Sequence, residues 1–367
     1  MKVENMLSSR QTIILISLFL FGSSIVIGVN INSDVAQDSW LSLIFSFAFT
    51  IPFVLIIAKI INLFPQKNIY QIFDELFGKA IGKIFTILFI LHTLYLGSIV
   101  LRNFSEYVEI TTLSDTPQMP IMLSLILIAI YLAKSGIKTL GRWGPIIITI
   151  IVIAMLFTFM LSVPVLKLEN IKPILEHSPI EMISSTFKVF MVPFSEIIIF
   201  LGFADCISIK NKEKKTYLFG ITITGFILLS ILLRNIMVLG VPMLQTSYFA
   251  SYDAASILQL GEFLTRIEGV ITMNFVLAGL TKIVIFVIVL SKGIAHLTKN
   301  VDYKNLVIPS SLLIFGICPF LFDNVLDMFD FAPIFGMYAI PIQVMLPIII
   351  WIYASYKKKS KIIDAIV

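Results

Sequence analysis

Charged residues are scarce in this sequence: they make up 13% of its 367 residues, whereas hydrophobic residues make up 58%. Soluble domains carry about 25% charged and about 45–50% apolar residues. A soluble chain of this composition would not have enough charged residues to cover its surface. A protein surface in contact with lipid does not need them. The composition therefore excludes a soluble globular protein and favours an integral membrane protein.

Residues typical of catalytic and metal sites are also few. Cys206 and Cys318 lie in separate apolar segments without C-x-x-C spacing, and the three histidines are scattered. This pattern indicates neither a disulfide framework nor a metal site. No G-x-S-x-G, Walker A, H-E-x-x-H or Gly-rich dinucleotide motif occurs, so catalysis and ATP-driven pumping have no sequence support. We predict that the protein is not an enzyme and needs neither a cofactor nor a metal.

Ten apolar runs approach the roughly 20 residues that a helix needs to cross a bilayer core. They lie at 12–31, 40–62, 82–104, 118–133, 143–166, 183–205, 216–241, 268–291, 304–322 and 333–356. Lysines and arginines number twenty on one set of connecting segments and five on the other, and this bias alternates at every crossing. The positive-inside rule therefore places both termini in the cytoplasm.

The basic clusters between these runs do not indicate nucleic-acid binding, although the net charge is +5. They are short and follow the positive-inside rule. The clusters at 211–215 and 357–361 fit solvated cytoplasmic turns, and they could also contact the anionic headgroups of membrane lipid.

The number of crossings predicts an inverted repeat. We expect one transmembrane domain over 1–367, built from five-helix repeats at 10–166 and 183–356. Transporters of this design bind solutes at the bilayer midplane, between helices that are interrupted at corresponding positions in the two repeats. The first and sixth crossings should therefore be broken. The residues at the two expected breaks are Gly22, Ser23, Ser24 and Gly28, and Val192, Pro193, Phe194, Ser195 and Glu196.

Two charged side chains of the second repeat fall deep within the predicted bilayer. Lys282 lies ten residues from Lys292, about 15 Å from the cytoplasmic edge if the segment is helical. Its ammonium needs a partner in lipid, and Glu196 is the best placed acid, so we predict a Glu196–Lys282 pair. Alternatively, Lys282 replaces a coupling cation. Glu196 could hold a proton, pair with a ligand amine, or only bind the backbone amides around Pro193.

Three other polar residues lie within the predicted crossings. His92 and Tyr95 fall on adjacent turns of the third crossing. They could contact a ligand or relay protons, although such residues more often bond across a helix interface. Arg234 lies near the outer end of the seventh crossing and is expected to extend to the membrane surface.

Short motifs recur along the whole chain in a characteristic order. They are Ser9-Arg10-Gln11, Asp38-Ser39-Trp40, Phe64-Pro65, Gly78-Lys79, Gly82-Lys83, Leu101-Arg102, Leu113, Thr116-Pro117, Gly136, Arg142, Pro193-Phe194-Ser195-Glu196, Leu239-Gly240 and Arg266-Ile267-Glu268. No single motif is specific, but together the chain resembles the spore germination permeases, the B subunits of germinant receptors. These belong to the amino acid–polyamine–organocation transporter superfamily.

The resemblance implies a function that the residues alone do not give. It implies a nutrient sensor that binds a small germinant such as an amino acid. The sensor would lie in the spore inner membrane, which is a bacterial cytoplasmic membrane. The partners would be A-type and C-type receptor subunits. In the superfamily, the unwound centres of the first and sixth helices hold the ligand. The runner-up function is a secondary amino-acid transporter, proton-coupled or gradient-driven. The identity of the germinant is not readable from the sequence.

Overall fold

A computed structural model of the protein describes residues 6–25, 35–209, 211–258, 267–299 and 302–364. Twelve α-helices account for most of these residues. They are α1 (Ser9–Phe21), α2 (Ser39–Leu63), α3 (Ile69–Thr111), α4 (Gln118–Ser135), α5 (Ile137–Ser162), α6 (Pro179–Met191), α7 (Glu213–Thr246), α8 (Ala250–Ser256), α9 (Glu268–Thr298), α10 (Val307–Ile317), α11 (Val325–Ile340) and α12 (Leu346–Asp364). Within the described ranges there is no strand beyond one isolated bridge, between Leu7 and Ile207.

The helices account for the expected membrane crossings. Nine helical segments of the described chain are long and apolar enough to span a bilayer, and the 13-residue α1 forms the described part of the first crossing. The prediction of an all-α membrane protein with interrupted first and sixth crossings is confirmed. The repeat boundaries at 10–166 and 183–356 remain a prediction.

Local sequence signals fix where several helices begin. Ser8, Asn68 and Ser178 each accept a hydrogen bond from the backbone three residues later, and the side chain at that third position bonds back to the cap residue. These reciprocal bonds satisfy amides that would otherwise lack partners at a helix start. The crossings therefore begin at polar residues near the membrane surface.

The third and the last crossings differ in detail from the sequence expectation. The third begins earlier than expected because a partly buried inner segment, Ile69–Phe77, precedes a turn at Gly78, whose φ of 79° favours glycine. In the last, a π-helical turn, Pro341–Met345, joins α11 to α12. Single π-helical turns inside α-helices frequently mark functional sites.

Contacts between the loops agree with the predicted alternation of the connecting segments between two sides of the bundle. On the lysine-rich side, the Leu7 amide donates to the Cys206 carbonyl at 2.7 Å, and the Ser9 and Thr216 hydroxyls lie 2.6 Å apart. On the opposite side, Tyr252 donates to the Thr111 carbonyl at 2.9 Å. Segments of the lysine-rich set thus contact one another, as the alternating charge bias requires.

One cation does not reach the surface as predicted. Arg234 is only 3% exposed, and its guanidinium donates to the Asn235 Oδ1 and the Ser251 carbonyl. The short helix α8 supplies Ser251 and covers the guanidinium from outside. The expectation of an arginine extended to the interface is therefore wrong.

The outer loop between the fifth and sixth crossings is fixed by one carboxylate. Asp38, fully buried ahead of α2, accepts hydrogen bonds from the amides of Leu175, Glu176 and His177, at 2.8, 3.0 and 3.4 Å. The His177 Nδ1 lies 2.9 Å from the same carboxylate. Asp38 therefore joins the start of the second crossing to the loop that leads into the sixth.

Replacing Asp38 with alanine should release this loop, because hydrogen bonds to a charged group contribute about 1.5–3 kcal/mol each. Hydrogen exchange of the peptide that contains Leu175–His177 should become at least about tenfold faster. The control is Asp115→Ala, since Asp115 lies exposed in another outer loop. Unchanged exchange in the Asp38 variant would contradict the anchoring role.

Candidate functional site

The first crossing is interrupted at the position expected from the sequence. Helix α1 ends at Phe21, and Gly22 and Ser23 form a turn. A Cβ at position 22 would lie 3.2 Å from the Ala278 carbonyl oxygen and from the Cδ of Lys282, closer than most real contacts. Glycine therefore lets α9 lie close against this turn. Gly28, also predicted to contact ligand, lies outside the described residues.

The sixth crossing is interrupted at its proline. Helix α6 ends at Met191, and Val192 is extended. The chain then continues in 3₁₀ geometry over Phe194–Cys206, with a break at Phe203, whose φ is −132° and ψ 25°. Runs of this geometry longer than 3–4 residues are uncommon, and they often mark a hinge or strain. The inner half of this crossing is thus wound differently from the outer half, and the change occurs beside Glu196.

A buried ion pair connects the two interruptions. The Lys282 ammonium lies 2.5 Å from the Glu196 Oε2, and the two side chains are 2% and 3% exposed. Ser23, from the first interruption, donates to the same carboxylate oxygen at 3.1 Å and also contacts the ammonium. One side chain from each broken crossing and one from α9 thus meet at the centre of the bundle.

A cavity of about 60 Å³ opens beside this cluster. That is several times the roughly 10–15 Å³ that one water requires. Four of the residues predicted at the two breaks line it, Gly22, Ser23, Val192 and Glu196, and so does the predicted partner Lys282. The rest of the wall comes mainly from the outer half of α3 and the outer part of the ninth and tenth crossings. It comprises Ile25, Leu96, Ile99, Val100, Asn103, Phe104, Phe322, Met328, Phe331 and Phe335.

Asn103 is a wall residue that the sequence prediction missed. It is 9% exposed, and its Oδ1 lacks a hydrogen-bond partner among the described residues. A buried carbonyl oxygen without a partner is costly, so a donor from a bound molecule would stabilise it. The sequence did contain a signal for this residue: a polar amide side chain eleven residues after His92, close to the outer end of the same crossing.

Other predicted residues do not line this cavity. Ser24 faces a second, smaller cavity against α7 and α8, and Phe194 packs against Phe47 with ring centres 6.5 Å apart. Tyr95 packs against the wall residue Phe331, with ring centres 6.3 Å apart, but does not itself line the cavity. Pro193 is buried at the interruption itself.

Two of the remaining predicted residues belong to one polar chain. Ser195 donates to the Gln343 Oε1 at 2.6 Å, and the Gln343 Nε2 lies 3.3 Å from the His92 Nε2. All three are buried, and the His92 Nδ1 has no partner among the described residues. Gln343 lies in the π-helical turn, so the widened turn places its amide between the sixth and third crossings. Sequence reasoning missed Gln343 and its role as the link.

The cluster is closed on the lysine-rich side, which the sequence predicts to be cytoplasmic. The Lys292 ammonium lies 2.6 and 2.7 Å from the two carboxylate oxygens of Asp205, at the inner end of the 3₁₀ helix. The bonds between the segments around Leu7 and Cys206 join the inner ends of the first and sixth crossings. The cavity therefore lies on the outer side of the Glu196–Lys282 pair.

Comparison with known proteins agrees with this architecture. Residues 6–325 match the family described as spore germination protein.

The chain belongs to that family.

Among Bacillus subtilis relatives, it is 24% identical to spore germination protein KB over 362 residues, which cover 97% of this chain and 96% of the relative. It is 25% identical to spore germination protein A2, with 88% and 87% covered. The resemblance found in the sequence motifs is confirmed.

The fold has a solved counterpart among transporters. A mutant of the manganese transporter of Eremococcus coleocola superposes with a TM-score of 0.57, over 92% of this chain and 77% of that one, at 11% sequence identity. This likeness shows a transporter-like fold and nothing about cargo. Within the described part of this chain, no cluster of three or more His, Cys, Asp or Glu residues is arranged to hold a metal ion.

Removing one partner of the central pair should destabilise the protein strongly, because the other charge is left buried. We expect Glu196→Gln and Lys282→Met each to lower the free energy of unfolding by about 3–5 kcal/mol, and the double variant to lose less than the sum. Unfolding in denaturing detergent measures this. The matched control is the exposed pair Lys67–Glu75, whose corresponding variants should change stability by about 1 kcal/mol or less. Additive losses at Glu196 and Lys282 would show that the pair is not coupled.

Gln343→Leu should also be destabilising, since it leaves the Ser195 hydroxyl and the His92 ring without their shared partner. The expected loss is about 1–3 kcal/mol by the same unfolding measurement. Gln245→Leu is the control because Gln245 is exposed, and it should change stability by less than about 0.5 kcal/mol. Equal stability of the two variants would remove the case for a polar chain.

Proposed function

We propose that the protein is the solute-sensing subunit of a germinant receptor. It would bind a small germinant, such as an amino acid, in the cavity between the two interrupted crossings. The observation that carries the proposal is the buried Glu196–Lys282–Ser23 cluster, which borders a cavity on the outer side of the bundle. Charged groups deep in a membrane protein are costly, and they are usually retained for function.

The chemistry of the cavity suits a small zwitterion. A carboxylate can approach the Lys282 ammonium, an ammonium can approach the Glu196 carboxylate, and the unpartnered Asn103 oxygen accepts a further donor. The apolar wall formed by residues such as Val100 and Phe331 would contact the side chain of the solute. Pockets of this kind, apolar with a few fixed polar groups, are typical of small-molecule sites.

Signalling requires only that the solute bind two conformations unequally. A zwitterion that competes for Glu196 and Lys282 weakens the contact between the sixth crossing and α9. Because Ser195 adjoins Glu196, the change reaches Gln343 and His92 through hydrogen bonds of the described chain. We infer that A-type and C-type receptor subunits respond to this rearrangement, as the family resemblance implies.

A secondary amino-acid transporter is the alternative. The transporter-like fold and the two interrupted crossings favour it. A transporter must also release its solute inward, whereas the inner ends of the first and sixth crossings are joined here. Uptake of labelled amino acid into vesicles containing this chain alone distinguishes the two: accumulation without partner subunits would favour the transporter.

Filling the cavity should weaken the response to germinant. Val100 lines the cavity and is 6% exposed, so Val100→Phe should raise the germinant concentration that half-maximal germination requires by about tenfold or more. The response is measured on spores that carry the variant in place of this chain, with its partner subunits.

The matched control is Val163→Phe, since Val163 lies at the end of the fifth crossing and is 57% exposed. It should leave the germination response unchanged. Assembly of the Val100 variant into spore membranes must be normal by immunoblot. A normal response from that assembled variant would show that the cavity has no ligand role.

A further inference from the structure

A further cavity, of about 670 Å³, lies at the cytoplasmic surface between the inner ends of the second, seventh and tenth crossings. Its polar wall carries three lysines, Lys59, Lys214 and Lys215, and its apolar part includes Trp351. We propose that it binds the headgroup of an anionic phospholipid. This site is separate from the Glu196–Lys282 cluster and does not depend on the proposed function.

The charges in the cavity are available for a ligand. Within the described chain, Lys59, Lys214 and Lys215 form no ion pair. The one acid in the wall, Glu213, is 7% exposed and accepts a hydrogen bond from the Asn211 amide at 3.0 Å. The cavity therefore presents three cations against one acid that already bonds to the local backbone.

The start of α7 adds to the positive potential. This 34-residue helix begins at Glu213 in the cavity wall, and its cap residue, Lys212, makes no side-chain hydrogen bond to it. The first amides of a helix lack intrahelical acceptors, and the helix dipole is positive at this end. Phosphate groups are favoured at such ends, and here the first residues of α7 lie in the cavity wall beside the three lysines.

The surroundings favour a lipid over a soluble anion. The Lys59 ammonium lies 4.9 Å from the centre of the Trp351 ring, and tryptophan is enriched at the level of lipid headgroups. One and two turns beyond Lys215, Phe219 and Ile223 are 59% and 39% exposed on the membrane-spanning part of α7. The cavity is thus continuous with apolar surface that faces acyl chains, whereas a free anion would gain nothing from that surface. Basic pockets between crossings on the cytoplasmic side bind anionic headgroups in other membrane proteins.

Trp351 allows a direct test in vesicles. The sequence has three tryptophans, so the changes Trp40→Phe and Trp143→Phe leave Trp351 as the sole fluorophore. The full chain is reconstituted in dioleoylphosphatidylcholine with a minor fraction of brominated phosphatidylglycerol, or with the same fraction of brominated phosphatidylcholine. We expect stronger quenching by the brominated phosphatidylglycerol. Each lysine removed as Lys59→Gln, Lys214→Gln or Lys215→Gln should weaken the apparent affinity by about fivefold.

The control replaces Lys134 and Lys138, in another cytoplasmic segment, with glutamine and should keep the preference. Loss of quenching on addition of inorganic phosphate at matched ionic strength would show a site for the free ion instead and overturn the lipid proposal. Equal quenching by the two brominated lipids would overturn it as well. The variant that combines Lys59→Gln, Lys214→Gln and Lys215→Gln gives a further test. If its far-ultraviolet circular dichroism matches the parent and it still prefers brominated phosphatidylglycerol, the proposal is overturned.

Discussion

The ion pair between Glu196 and Lys282 determines how the centre of this protein is built. Each charge is expensive to bury alone, and their attraction offsets this expense only if geometry is close and the remaining polar positions are satisfied. The contact at 2.5 Å and the Ser23 hydroxyl meet these conditions. The pair requires α9 to lie directly against both interrupted crossings, and Gly22 permits that approach.

The interruptions are a consequence of the same constraint. Backbone that leaves a helix inside a membrane exposes polar groups, which are tolerated only where protein or a cavity covers them. Here the break after Met191 is covered by α9, by the Ser195–Gln343 bond and by the first interruption. The cavity then occupies the space that the two interrupted crossings do not fill. The cavity and the pair are thus two results of one arrangement, and a substitution that alters either should affect the other.

Much of this arrangement could be predicted from the sequence, and the rest could not for identifiable reasons. Hydropathy and the alternating lysines predicted where the crossings lie, and Pro193 and Gly22 predicted where two of them are interrupted. These features could be predicted because each depends on neighbouring residues in the sequence. Gln343 and Asn103 were missed because their roles depend on neighbours from distant crossings: Gln343 meets Ser195, 148 residues away. Arg234 was misjudged for a similar reason, since the covering helix α8 has no apolar run of membrane-spanning length.

The position of the second pair indicates which motion the structure permits. Helix α9 carries both Lys282 and Lys292, about 15 Å apart along its axis. They bind Glu196 and Asp205, which lie on either side of a break in the 3₁₀ geometry at Phe203. A solute that separates Glu196 from Lys282 releases the outer contact, while the inner contact and the bonds around Leu7 are untouched. Under the proposed function, the sixth crossing would then pivot about its inner end while the inner contacts hold. The two pairs thus divide this crossing into an outer part that a solute would release and an inner part that stays bound to α9.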